Sequence, residues 1–328
     1  MDILLVDCYS IAYASHFSAP MRAQNGDEVQ AIYVTIRTLA KRVRENPTFV
    51  PVLLWDGHAK WRYDLYPDYK SGRKKGEASI AARASVNQQM PYLRIMLAKL
   101  GLMQLHDPTA EADDIGHQLG KQLVANGHTV KFLTGDHDWL QNLQPGTSWL
   151  DHRTDTHICT PEEMEAAVGV KTARDFVQIK AMVGDTSDSI EGIPKIGEKT
   201  APKILADFGS VENYFATVDA GTFEPRLVAH KNLASEEGRA TYRLNLQLMD
   251  LSLAPVLSAE SIITSREAPD HSTFLEWCEN FQFKYFLQNP SRLTGPFDEI
   301  IRRADYSALL QAIHQLGELE EEEEELTV

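Results

Sequence analysis

Two short, wholly apolar runs, each closed by an aspartate, constrain this chain more than any other feature: Asp2-Ile-Leu-Leu-Val-Asp7 and Pro51-Val-Leu-Leu-Trp55-Asp56. A run without polar alternation cannot lie half exposed on a sheet, so both read as strands buried on both faces, the habit of parallel sheets. Between them Val29, Ile32, Ile36, Leu39 and Val43 recur at helical spacing, and strand, helix, strand in succession implies a parallel α/β sheet. The design repeats with Gly101-Leu-Met-Gln-Leu, a helix marked by Ile115, Leu119 and Leu123, and the strand Lys131-Phe-Leu-Thr. Open α/β sheets bind ligands at the carboxyl ends of their strands. The acids gather at those ends: Asp7, Asp56, Glu111-Ala-Asp113-Asp114 and Thr134-Gly-Asp136-His-Asp138. A helix dipole explains any one of them as a cap. It does not explain the crowd, because like charges a few ångströms apart raise one another's pKa strongly. Bound divalent cations are the economical inference.

The segment from Lys60 to Gly76 has a second unusual composition. Lys60, Arg62, Lys70, Arg73, Lys74 and Lys75 are interleaved with Trp61, Tyr63, Tyr66 and Tyr69, and only Asp64 and Asp68 oppose them. Cationic side chains suit phosphates and aromatic faces suit unstacked bases, so the segment reads as a contact for single-stranded nucleic acid, flexible near Gly72 and Gly76 until bound. A helix over 81–100 follows, with Pro91 as an interruption or restart.

Gly192-Ile-Pro-Lys195-Ile-Gly197-Glu-Lys199-Thr200-Ala201 superficially resembles a nucleotide P-loop, but Glu198 separates the second glycine from Lys199 and no apolar strand precedes Gly192. Two glycines bracketing a turn between helices describe a helix-hairpin-helix. Its free amides can hold a phosphate oxygen, aided by Lys195, Lys199 and Lys203, and so read backbone rather than base sequence. His152 and His157 read as surface turns, and Cys8, Cys159 and Cys278 lack the spacing of a zinc site or disulfide framework.

The net charge of −15 argues at first against a polyanionic partner. It is unevenly placed. Removing the terminal run Glu318 and Glu320 to Glu325, together with the clustered acids, leaves a nearly neutral body with basic patches. No apolar run approaches the ~18 residues of a membrane span, and the start lacks a signal peptide's basic region and cleavage site, so a soluble cytosolic chain is expected.

Together these stretches resemble the 5′ nucleases, which comprise the 5′-nuclease domain of bacterial polymerase I and the phage and cellular flap endonucleases. The resembling motifs are Leu5-Val-Asp7, Leu54-Trp-Asp56, Tyr69-Lys70-Ser-Gly-Arg73, Glu111-Ala-Asp113-Asp114, Thr134-Gly-Asp136-His-Asp138, Gly184-Asp185-Thr-Ser-Asp188 and Gly192 to Ala201, in family order. The resemblance implies a PIN-like nuclease domain over 1–175 with an arch near 59–90, then a helical DNA-binding domain over 176–290. A helical extension over 291–317 and a disordered acidic tail over 318–328 complete the expected organisation. The resemblance further implies that Asp7, Asp56, Glu111, Asp113, Asp114 and Asp136 surround a first Mg²⁺, and Asp138, Asp185 and Asp188 a second, with Mn²⁺ as a substitute. Lys70 and Arg73 match the basic pair at the scissile phosphate, and with Asp136 and Asp138 form the expected catalytic set. Arg62, Tyr66, Tyr69, Lys70, Arg73 and Lys74 in the arch, and Gly192, Lys195, Gly197, Lys199 and Thr200 in the hairpin, are the expected DNA contacts, with K⁺ at the hairpin.

The implied activity is phosphodiester hydrolysis as a flap endonuclease and 5′-3′ exonuclease, on DNA with a 5′ flap, overhang or nick and on RNA–DNA hybrids. The chain ends where a polymerase module would begin, so the resemblance implies a stand-alone, monomeric enzyme of a bacterial or phage-infected cell. His137 and Pro202 depart from the family pattern without touching an expected ligand. A non-catalytic junction binder should lack some of the acids. A PIN-type ribonuclease should lack the hairpin and be shorter.

Overall fold

The computed structural model describes residues 1–74 and 76–317, without the side chain of Lys74. The expected DNA contact through Lys74, the basic Lys75 and the acidic tail over 318–328 therefore lie outside the described residues. Among the described residues no helix is long and apolar enough to cross a membrane.

Among the described residues nine strands form: β1 (Asp2–Asp7), β2 (Phe49–Trp55), β3 (Met103–His106), β4 (Thr129–Leu133), β5 (Thr147–Leu150), β6 (His157–Ile158), β7 (Gly184–Asp185), β8 (Ile190–Glu191) and β9 (Ile263–Ser265). Seven build one sheet in the order β6-β5-β4-β1-β2-β3-β9, and β7 with β8 forms a separate hairpin. The inner five strands are parallel, as the apolar runs require, and β6 and β9 close the two edges antiparallel. Ile3, Leu4, Leu5 and Val6 are wholly buried. The Ala112–Ala125 helix comes so close to its neighbours that a Cβ on Gly116 would stand 2.3 Å from the Trp139 ring. Only glycine fits there.

The helix after the basic segment starts earlier than its apolar spacing suggests and runs unbroken over Glu77–Lys99, with Pro91 inside it. The region after Gln144, irregular in sequence, supplies β5 and β6. His152, expected at the surface, is 9% exposed.

Packing also divides the chain differently from the expected boundaries. A second core joins Ile179, Met182, Ile193, Ile196, Ile204, Tyr214, Leu233 and Tyr242, contributed by helices between Ala173 and Met249 and by the turn before Ala201. Residues beyond it return to the first core. β9 pairs with β3, and Phe274, Phe283, Phe286, Phe297 and Leu309 pack with the sheet helices. The second body therefore ends near residue 250, whereas 290 was expected. The aromatic-rich helices that follow complete the body built on the large sheet.

Candidate metal centre and nucleic-acid interface

Register brings the acids together. Val6 of β1 lies opposite Leu53 of β2 and Leu133 of β4, so the exits of three adjacent strands are level. Asp7 ends β1 and caps the Cys8–His16 helix, accepting the Ser10 amide at 2.9 Å and the Thr134 hydroxyl at 2.8 Å. Asp56 follows β2 and accepts the Ala112 amide at 2.9 Å. Asp136 follows β4 and accepts the Asp138 amide at 2.9 Å. With Glu111 and Asp113 from the start of the Ala112–Ala125 helix, these carboxylates line one cavity of about 600 Å³.

Burial, reinforced by Asp56, pushes the Asp7 carboxyl up to about 7. Burial with Glu111 raises Asp56, and burial with Asp114 raises Asp113 well above the usual carboxylate range. Among the described residues, Asp7, Asp56, Asp113 and Asp136 have no ammonium or guanidinium within ion-pair distance.

A second group lies beside the first. Asp138, Asp185 and Asp188 share a crevice of about 10 Å³ with Asp113, Tyr69 and Arg62. Every acid of this trio has a cation. Lys180 Nζ stands 2.5 Å from Asp138 and 2.7 Å from Asp185, and Arg73 donates to Asp188 at 2.6 Å. Lys70 pairs with Glu111 and reaches to within 3.8 Å of Asp188. Burial would raise Asp185, but the Lys180 ammonium and the Ser187 hydrogen bonds outweigh it and hold the carboxyl at about 2. Burial, with Asp136 alongside, leaves Asp138 at about 6 despite the same lysine.

Both cavities are lined by carboxylate oxygens, with no thiol or imidazole among their described lining residues. Hard oxygen donors carrying buried, partly uncompensated charge fit small divalent cations. As the side chains stand, no three of the described His, Cys, Asp and Glu residues form a ready-made ion cage. Lys70, Arg73 and Lys180 take carboxylate oxygens instead.

Some expected site residues are placed elsewhere. Asp114 does not join the crowd. Its oxygens accept from Arg62 at 2.8 and 2.6 Å, and one also accepts the Glu111 amide at 3.0 Å in a capping box. Arg62, expected on the DNA surface, is 2% exposed and spans Asp114, Glu111 and the Leu248 carbonyl. Tyr69 is buried with its hydroxyl on Glu111 and Asp188, and Tyr66 donates to the Ser189 carbonyl at 3.2 Å. The segment expected to begin the arch is therefore packed against the second body. Of the expected arch contacts with described side chains, Lys70 and Arg73 face the main cavity.

Sequence reasoning missed Lys180, Arg83, Arg153 and the rings of Tyr9, Tyr13 and Phe17, of which all but Lys180 line the main cavity. The aromatic trio had a readable signal in its spacing of four along one helix face. Lys180 had none, since a cation in a helix's last turn is ordinary.

The hairpin turn is built on two buried residues, Ile193 and Ile196, which leave Lys195 and Lys199 exposed. A Cβ at Gly192 would meet the Val183 carbonyl oxygen at 1.9 Å, so the chain can pass there only as glycine. Lys195 takes the left-handed conformation at φ 68°. Among the described residues the amides of Gly197, Glu198 and Lys199 donate no hydrogen bond, and they precede the Ala201–Phe208 helix. Free amides before a helix N-terminus can receive an anion.

Two family models match this chain: the 5′-3′ exonuclease N-terminal resolvase-like domain over residues 2–169, and the 5′-3′ exonuclease C-terminal SAM fold over 171–262. The chain belongs to the 5′-3′ exonuclease family. It is 31% identical over 294 residues to the thermostable DNA polymerase I of Thermus filiformis, covering 89% of this chain and 34% of that one. It is 32% identical over 222 residues to DNA polymerase I of Bacillus subtilis, covering 66% and 24%. This family member thus spans about a third or less of the length of these relatives. Its fold matches a bacteriophage T5 flap endonuclease crystallised with DNA and metal ions, with a TM-score of 0.64 at 18% identity over 92% of this chain and 100% of that one. It also matches the catalytic core of Rad2 in complex with DNA substrate, with a TM-score of 0.52 at 14% identity over 93% and 92%.

Proposed function

We propose that this chain is a divalent-metal-dependent 5′ nuclease that hydrolyses DNA phosphodiester bonds where single strand meets duplex. The observation that carries the reading is the convergence of Asp7, Asp56, Glu111, Asp113 and Asp136 on one cavity whose other wall bears Lys70 and Arg73. Asp7, Asp56, Glu111, Asp113 and Asp136 would hold one cation, and Asp138, Asp185 and Asp188 another, with Mg²⁺ the natural ion and Mn²⁺ its substitute. Such ions lower the pKa of a bound water and neutralise the leaving oxygen.

The chain's own residues supply the rest. Lys70 and Arg73 reach the cavity with ammonium and guanidinium groups that can offset the charge of a phosphate at its mouth. Tyr69, buried beneath them with its hydroxyl on Glu111 and Asp188, fixes the backbone from which both project. The hairpin turn, with its free amides and exposed Lys195 and Lys199, holds the backbone of the adjoining duplex, with K⁺ as an accompanying ion. Gly192, Gly197 and Thr200 shape that turn. Flaps, 5′ overhangs and nicks are the substrates this division of labour suits, RNA primer ends on a DNA template among them.

Incubation of a 5′-labelled flap duplex with and without Mg²⁺, beside single-stranded RNA, tests the reading. Mg²⁺-dependent release of the flap, with the RNA left intact, is the expected result. RNA cleavage alone would favour a PIN-type ribonuclease, and binding without cleavage a junction binder.

A further inference from the structure

The two acid groups differ in what already sits on them. Asp7, Asp56, Asp113 and Asp136 accept only from amides and a hydroxyl among the described residues. Asp138 and Asp185 share one ammonium instead. Lys180 Nζ stands between them at 2.5 and 2.7 Å, with the lysine and both acids less than one-fifth exposed.

The backbone that carries Lys180 is fixed on several sides. Gln178 accepts the Val211 amide at 2.9 Å, and Asn245 donates to the Ala181 carbonyl at 2.9 Å. The Met182 carbonyl accepts the Ile193 amide at 2.8 Å. Motion of the ammonium must therefore come from side-chain torsions, and the four-carbon stem supplies them. Crowding differs as well, because the crevice beside Lys180 holds about 10 Å³ against about 600 Å³ in the neighbouring cavity.

We infer that Lys180 is a tethered counter-ion of the second acid group: its ammonium occupies the position between Asp138 and Asp185 and must withdraw before a divalent cation can bind there. The inference rests on the two-group reading of the metal centre and adds an order of loading to it. An ion at Asp7, Asp56, Asp113 and Asp136 displaces no ammonium or guanidinium, because the cations of the first group, Lys70 and Arg62, sit on its fifth acid, Glu111. An ion at Asp138 and Asp185 displaces a charged, hydrogen-bonded side chain, so the second site is the weaker one. A phosphate arriving at the crevice offers the released ammonium a new partner, which couples filling of the second site to the presence of nucleic acid. Lys180 acts through the acids it holds and is a positioning residue.

Mn²⁺ binding to the metal-free full chain, followed by electron paramagnetic resonance without DNA, tests this directly. The wild-type protein should show one tight site and one at least tenfold weaker. Lys180→Met should tighten the weaker site at least tenfold and leave the tight one unchanged, while Lys180→Arg should keep the weaker site weak. An unchanged or loosened second site in Lys180→Met overturns the inference. Asp7→Asn separates the two levels of the argument. It should abolish the tight site, and if it leaves both sites intact the metal-centre reading itself fails. Folding of the variants need not decide the matter, because lysine ¹⁵N resonances of the wild-type protein report on the same event. The Lys180 ammonium should be protected from solvent exchange without metal and lose that protection at saturating Mg²⁺. Persistent protection with both ions bound overturns the inference independently.

Discussion

The sheet-end crevice and the hairpin turn handle charge in opposite ways. In the crevice, burial at the ends of parallel strands, and behind it the repulsion between neighbouring carboxylates, drives protonation upward, so the site is under electrostatic pressure before any ligand arrives. In the turn, two exposed lysines and three amides without an acceptor among the described residues surround a buried isoleucine pair, an arrangement with no crowding of like charge in a buried space. The first arrangement can discriminate chemistry and the second can only grip a backbone. Substitutions in the crevice should therefore change rate with little effect on affinity, and substitutions in the turn the reverse.

The largest effect should come from Asp113→Asn, because Asp113 borders both cavities. Flap cleavage should fall by on the order of 10³-fold or more, the several kcal/mol that metal-centred charge stabilisation contributes, while binding of the flap duplex in a filter assay stays within a few-fold. An equal loss of binding would erase the division between the two regions. Lys70→Ala should lower single-turnover cleavage by about 10²-fold, the usual size for removing one donor to developing charge, with duplex affinity nearly unchanged. An unaltered rate would remove Lys70 from the site.

A pH effect should come from just behind the crevice wall. His152, beside Ser10 of the Asp7-capped helix, is buried, and that burial holds its imidazole down at about 4. Between about pH 6.5 and 4 the unfolded chain binds this proton and the folded one does not, so stability is lost as pH falls through that window. The contribution is on the order of 3 kcal/mol. Replacement by Gln should flatten this part of the dependence of the melting temperature on pH, and an unchanged profile would show that His152 does not titrate as its burial requires.

The smallest effect should be Lys199→Ala. It should weaken duplex binding several-fold and reduce the slope of log affinity against log salt by about 1, one phosphate contact, without altering the cleavage rate at saturating substrate.

What the sequence made legible follows the same contrast. Strands closed by Asp7 and Asp56 were readable because wholly apolar runs have one physical explanation, and level strand exits then bring their acids together. Asp114 was not separable from Glu111 and Asp113, since a capping box and a metal ligand use the same residue types, and only the partner Arg62, far away in sequence, tells them apart. Arg62 and Tyr69 looked like surface residues for the same reason: their burial comes from contacts with Asp114, Asp188 and Leu248. The edge strands β6 and β9 are too short to show a period, and the return of Phe274 to Phe297 into the first core is long-range packing without a local signature. Lys180 is the sharpest case, an ordinary helix-end cation by sequence and a participant in the site by geometry.

The central claim is that crowded carboxylates at the strand exits exist to hold divalent cations. Anomalous diffraction from crystals soaked in Mn²⁺ tests it most directly. Density bridging Asp7, Asp56, Asp113 and Asp136 is the predicted result. A well-ordered crystal with no anomalous peak among those four side chains, at Mn²⁺ concentrations that support cleavage, would contradict it.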